Sequence, residues 1–343
     1  MKYFCTLSYM RYTLFILSIA TVTIACAQDF IVPKDGNFVD AIHAANNRAD
    51  MKKRFTILIQ EGTHLSQGEC NTISNVVKDR NGNDSTIYFP SPMVTLTAPN
   101  VTIKGEGMDK SIVENRPVNE GISITSTLFV DHADNTIIED LTLWCNFNND
   151  VNAFANRAVA LNEKGCKNNH LKNVRLKSTQ DTYYTNNEGS TTLDNCEIHG
   201  TVDFICGGGK MRFNNCTIIM VPRGNTGNRD VICAPATTED EYYVFNNCTI
   251  DGSPEQEGRF HLARPWRNAP KCIWINTKMK KHPSIEGYCE MHGSIPSLFA
   301  EYNSTFIDGT PIDCSQRKDT FGDEKINYSP ILTKKEAKKW LKK

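Results

Sequence analysis

A short pattern repeats along this chain and limits what it can fold into. An Asn or Asp precedes a brief apolar strand in Asp140-Leu141-Thr142-Leu143, Asn173-Val174-Arg175-Leu176, Asn195-Cys196-Glu197-Ile198, Asn215-Cys216-Thr217-Ile218, Asn247-Cys248-Thr249-Ile250 and Asn303-Ser304-Thr305-Phe306. The second positions of these units are separated by 33, 22, 20, 32 and 56 residues. The short intervals fit single coils of a solenoid; the long ones fit a coil carrying an inserted loop, or two coils. One such unit cannot bury its own apolar face, so coils must stack and share a core. No useful helical periodicity lies between the strands, which argues against βαβ units and for a parallel β-helix over a β-sandwich of coincidental spacing. Cys196, Cys216 and Cys248 share one repeat position and read as an inward stack of small apolar side chains. Asn215 and Asn247 also head glycosylation sequons, but their place in the repeat favours an asparagine ladder at a turn.

The flanks are less regular. Phe30 to Pro33 reads as a first strand, and Phe55 to Ile59 as another. Asn37 to Asn46 predicts a short helix with Phe38, Ala41, Ile42 and Ala45 on one face. Residues 62–92, with Lys78-Asp79-Arg80-Asn81-Gly82-Asn83-Asp84 among them, read as a long loop. Thr333 to Lys343 predicts a basic amphipathic helix, with Ala337, Trp340 and Leu341 on one side, capping the solenoid's end.

At the N-terminus, Lys2 and Arg11 precede an apolar run from Tyr12 to Ala25, followed by Ala25-Cys26-Ala27. This is the pattern of a signal peptide over residues 1–27, leaving one domain over 28–343. The expected destination is the medium, the cell surface or the periplasm, with no membrane insertion after cleavage. Lipidation of Cys26 is a weaker variant. Loss of Lys2 and Arg11, with no acid, takes the net charge from −1 to −3. Neither value makes a case for nucleic acid or an anionic membrane. Of 13 cysteines, 11 remain after residue 27, an odd number whose pairing the sequence leaves open. No Cys/His cluster has zinc spacing, so no metal site of that kind and no cofactor are expected. A monomer is the default for a capped solenoid.

Two neighbouring repeats carry the chemistry. Asp181 follows Leu176 by five residues, and Asp203 follows Ile198 by five, with a threonine two before each aspartate. If the coils stack in register, the two carboxyls sit on adjacent strands, about 4.8 Å apart. Two such carboxyls cannot both ionise easily, so one can hold a proton while the other stays anionic. Spacing alone also allows a solvated pair or a calcium pair.

The surrounding residues carry a resemblance. Gly200-Thr201-Val202-Asp203-Phe204-Ile205-Cys206-Gly207 and Gln180-Asp181-Thr182-Tyr183-Tyr184 look like signatures of the pectin methylesterase family. Leu262-Ala263-Arg264-Pro265-Trp266 resembles that family's Leu-Gly-Arg-Pro-Trp element. Ala158-Val159-Ala160-Leu161, Ile103-Lys104-Gly105-Glu106-Gly107 and Ala300-Glu301-Tyr302-Asn303-Ser304 match further blocks, in family order, over roughly residues 31–306. The resemblance implies a single-stranded right-handed parallel β-helix that demethylates methyl-esterified homogalacturonan (pectin) without a metal. It implies Asp203 as nucleophile, Asp181 as general acid and then base, and Gln180 as oxyanion donor. Arg264 would pair with Asp203, and Trp266 and Tyr184 would offer apolar faces to sugar rings.

Three features depart from the pattern. Strict strand alternation puts Gln180 and Asp181 on opposite faces. Arg157 stands where many members have a glutamine that helps hold the oxyanion, and Cys206 stands where a phenylalanine is usual. The rival readings are a pectate-lyase-like enzyme, a non-catalytic polysaccharide-binding β-helix, and an esterase for another acyl ester.

Overall fold

The computed structural model describes residues 28–66, 73–78, 81–89, 93–117, 120–147, 157–186, 188–222 and 230–343. The segment read as a signal peptide lies outside the described residues, as do Cys26 and Cys70.

The repeats form a parallel β-helix. Inward residues stack coil upon coil, with Leu141 beside Val174, Leu176 beside Ile198, Ile198 beside Ile218, Ile218 beside Ile250 and Ile250 beside Met279. The 33- and 32-residue intervals are each one coil with a long excursion. The 56-residue interval is two coils: Asn276-Thr277-Lys278-Met279 supplies the intervening strand, and Met279 pairs with Phe306. Its second residue is the polar Thr277, as Ser304 is in the unit headed by Asn303.

The asparagines explain themselves in backbone terms. Asp140, Asn173, Asn195, Asn215, Asn247, Asn276 and Asn303 all have φ between 51° and 58°. Each bends the chain through the left-handed region, Asp140 and Asn173 within the strands Ile137–Cys145 and Asn169–Lys177 and the others between strands, a conformation that Asn and Asp tolerate better than other side chains. Their amides then form a ladder: Asn173 Nδ2 donates to Asp140 (3.0 Å), Asn247 Nδ2 to Asn215 (2.6 Å) and Asn303 Nδ2 to Asn276 (2.9 Å). Cys196, Cys216 and Cys248 follow these turns and are buried and unbridged. Aromatic rings continue the stack inside, Phe213 on Phe245 at 4.2 Å and Phe245 on Trp274 at 3.8 Å.

A separate seven-stranded parallel sheet closes each coil. It runs through Thr95–Leu96, Leu128–Asp131, Leu161–Lys164, Tyr183–Thr185, Val202–Gly207, Val231–Pro235 and His261–Ala263. Its outer face carries the site.

The N-terminal helix spans Phe38–Asn47, with Asn37 as N-cap in a reciprocal hydrogen-bonded box with Asp40. Phe38, Ala41, Ile42 and Ala45 are its buried residues. The stretch read as one long loop instead contains the strand Gly62–Leu65, paired with Ser111–Asn115, and an antiparallel hairpin of Ile73–Lys78 with Asp84–Phe89. The ends of the polar run, Lys78 and Asp84, pair with each other, and the β-prone residues on either side are the hairpin's arms. The C-terminal helix, Lys334–Lys342, lies across the outward face of the last coils, where Val244, Ile273, Ile275 and Ala300 pack with Ala337 and Trp340. It covers an apolar flank of the solenoid rather than its end, and Leu341 is exposed. No helix among the described residues is long and apolar enough to cross a membrane.

Candidate active site

The register around the two aspartates holds. Thr201 N donates to Thr179 O (3.0 Å) on one side, and Tyr183 pairs with Ile205 on the other. Both pairs are offset by 22 residues, so Asp181 and Asp203 occupy equivalent positions on stacked coils. A bulge does occur at Asp203, but between this coil and the following one, at Val202 to Ile205.

Both aspartates are left-handed, with φ of 61° at Asp181 and 51° at Asp203. This resolves the alternation problem. A left-handed residue interrupts the pleat, so two successive side chains after it turn inward: Thr182 and Tyr183 in one coil, Phe204 and Ile205 in the next, all fully buried. Tyr184 and Cys206 then face the aspartates' side. Gln180, just before the turn, makes an isolated parallel bridge to Arg157, and its carboxamide bonds to no described residue.

The carboxyls are 6% exposed at Asp181 and 4% at Asp203. Arg264 emerges from His261–Ala263, two coils further on, and reaches back to Asp203. Its Nε donates to Oδ1 at 2.8 Å and its Nη2 donates to Oδ2, a bidentate pair. Asp181 has no such cation. Burial, reinforced by the charge of Asp203, pushes its carboxyl up to about 8, against a weak Cys206 Sγ hydrogen bond to Oδ1 (3.6 Å) and the charge of Arg157. Cys206 is itself fully buried, and burial beside the two aspartates pushes its thiol well above the usual range. That makes it a donor and not a nucleophile.

The raised value has a consequence for stability. A folded-state carboxyl titrating near 8, against an ordinary value near 3.8, contributes stability that is full below 3.8, falls progressively as pH rises and is lost once pH has passed 8. Asp181→Asn is therefore expected to raise the melting temperature at pH 8, with a difference from wild type that shrinks towards pH 5. Melting curves across that range check this.

Tyr184 and Trp266 sit together, ring centroids 6.2 Å apart, both partly exposed. Arg267 lies over the Trp266 ring at 4.1 Å. With His132, Lys164 and Glu188 they line a cavity of about 350 Å³ beside the aspartates, which are not part of its wall. Gly207 closes its floor. A Cβ there would meet Thr185 O at 1.7 Å, and φ is +107°.

The structure thus brings Gln180, Asp181, Asp203, Arg264, Trp266 and Tyr184 to one face of one sheet. Arg157 is there too, but committed: Nε and Nη2 donate to Glu120 at 3.1 and 2.8 Å, and Arg157 N to Glu120 at 2.9 Å. Glu120 was not legible beforehand, since it lies in no motif. Arg267 was not singled out either, although it directly follows the Leu262-Ala263-Arg264-Pro265-Trp266 element. Among the described residues no group of three or more His, Cys, Asp or Glu side chains is placed to hold a metal ion. In chemical terms, the site offers an anionic carboxyl fixed by a guanidinium, a protonated carboxyl one strand away, and an uncommitted amide.

The profile of the Pectinesterase family matches residues 68–340. A curated relative from Arabidopsis thaliana, "Probable pectinesterase/pectinesterase inhibitor 21", is 27% identical over 216 residues, covering 59% of this chain and 31% of its own length. The chain spans between 31% and 43% of the length of the first three curated relatives it matches. Among solved structures, a pectin methylesterase in complex with a hexasaccharide superposes with a TM-score of 0.66 at 21% identity, covering 92% of this chain and 96% of that one. The pectin methylesterase from carrot gives 0.67 at 18% identity, covering 90% and 89%. At these identities the likeness shows the fold, a right-handed parallel β-helix.

Proposed function

The chain belongs to the pectinesterase family, and from that premise and the site's geometry we propose that it is a carboxylic ester hydrolase releasing methanol from methyl-esterified homogalacturonan. The observation that carries the mechanism is the unequal treatment of two stacked carboxyls: Asp203 held by Arg264, Asp181 left protonated.

Asp203 attacks the ester carbonyl. Arg264 pairs with it through both oxygens and orients it, and each oxygen retains a lone pair beyond the one given to the guanidinium. Charge develops on the carbonyl oxygen, where the amide of Gln180 donates. Asp181 gives its proton to the departing methoxide, so methanol leaves and an acyl-enzyme on Asp203 remains. Asp181, now anionic, takes a proton from water, which attacks the acyl group. The uronic acid is freed and gives its proton to solvent, and both original carboxyl states are restored. Trp266 and Tyr184 bind sugar rings beside the reacting ester.

On this reading residues 28–343 form one catalytic domain, exported after loss of 1–27 and acting as a monomer outside the membrane. Purified mature protein is expected to release methanol from highly methylated pectin, equally with and without EDTA. Unsaturated uronide without methanol, lost on chelation, would instead establish a lyase.

A further inference from the structure

We infer that Glu120 is a positioning residue of this site: by gripping Arg157 in a bidentate ion pair at its mouth, it holds that guanidinium off Asp181. The inference rests on the proposed role of Asp181 as general acid.

The backbone sets up the conflict. Arg157 is bridged to Gln180, the residue immediately before Asp181, and Ala158 N donates to Gln180 O at 2.9 Å. A cation fixed there would offer Asp181 a counter-charge, and a carboxyl beside a guanidinium ionises early. An ionised Asp181 has no proton for methoxide. Glu120 removes the conflict. It takes both guanidinium edges and the Arg157 backbone N–H, and Gly121 N donates to Arg157 O at 2.8 Å, so the segment at Glu120 is tied to Arg157 at four points. Burial alone would raise Glu120; the hydrogen bonds and charge of Arg157 outweigh it and hold the carboxyl below its ordinary range. The ion pair thus presents Asp181 with two opposite charges in place of a lone cation.

The other groups facing Asp181 are accounted for. Asp203, itself paired with Arg264, raises its affinity for a proton. The Cys206 thiol donates weakly to it, and Tyr184 stays protonated, being raised by burial. Glu120 and Arg157 remain as two opposite charges whose effects on Asp181 have opposite signs.

Opposite signs give a test that a merely structural role would not pass. The pH dependence of kcat/KM for methanol release is measured at low ionic strength for wild type, Glu120→Gln, Arg157→Gln and the double variant. The alkaline limb, set by the proton on Asp181, is expected to move to lower pH in Glu120→Gln by about half a unit or more. It is expected to move to higher pH in Arg157→Gln and to return close to wild type in the double variant. Shifts in the same direction, or a uniform fall in rate with the limb unmoved, would overturn the inference. Should wild type release no methanol, the proposed activity fails. The ionisation of Asp181, followed by difference infrared spectroscopy against Asp181→Asn in each background, then still decides the role of Glu120 on the same pattern of shifts.

Discussion

Asp203→Asn is expected to lower methanol release by at least about 10⁴-fold while leaving the β-helix intact. The amide is nearly isosteric with the carboxyl but has no nucleophilic oxygen anion, so the covalent route closes. Nothing else nearby can replace it. Asp181 holds its proton to about pH 8, and Cys206 is a buried thiol titrating higher still. Arg264 loses its ionic partner, but it stays partly exposed and water can reach it. The fold is therefore expected to survive, with circular dichroism and melting behaviour close to wild type. Rate and structure are measured on one preparation. A folded variant retaining more than a few per cent of wild-type turnover removes Asp203 from the nucleophile's role.

The second large effect is on stability, far from the chemistry. Arg317 and Glu301 form an ion pair at 2.6 Å, with side chains 2% and 1% exposed. Glu301 is in the last coil, in the strand Leu298–Tyr302, and also accepts from Ser304 Oγ at 2.7 Å. Arg317 belongs to the tail beyond it and donates to Ser284 O and Ile285 O. Gly287 makes room, since a Cβ there would meet Arg317 Cδ at 2.6 Å. Arg317→Met strands a buried carboxyl, and removing one partner of such a pair costs about 3–5 kcal/mol. In a solenoid the loss is felt first where it occurs, so the last coil and its tail should become protease-sensitive before the rest. Adding Glu301→Gln removes the stranded charge and is expected to recover a good part of the loss. Denaturant titration and limited proteolysis of the two variants check both statements. A wild-type midpoint for Arg317→Met contradicts the claim that this pair fastens the tail.

The fold was readable where one residue type marks one backbone event. The left-handed turns need Asn or Asp, so their spacing exposed the coils. It failed at Asn276, whose unit has Met279 as its sole apolar residue, and in residues 73–89, where the polar stretch between Lys78 and Asp84 hid the two arms of a hairpin. The catalytic candidates were readable because both sit at one fixed offset from the repeat. The alternation rule misled at Gln180 and Asp181, since it assumes an unbroken pleat and Asp181 breaks it with φ of 61°. Glu120 and Arg317 were not readable. Each is the distant half of an ion pair, 37 residues from Arg157 and 16 from Glu301, and no local pattern announces a partner that only folding brings near.

Everything in the proposed mechanism depends on the two stacked carboxyls ionising separately. Difference infrared spectroscopy of wild type against Asp181→Asn observes this directly, by following the protonated carboxyl band of Asp181 as pH is raised. The account predicts a band present at neutral pH that titrates away near pH 8. A carboxyl already ionised in the ordinary range, about pH 4, would contradict it, and the methanol-releasing acid would have to be another group.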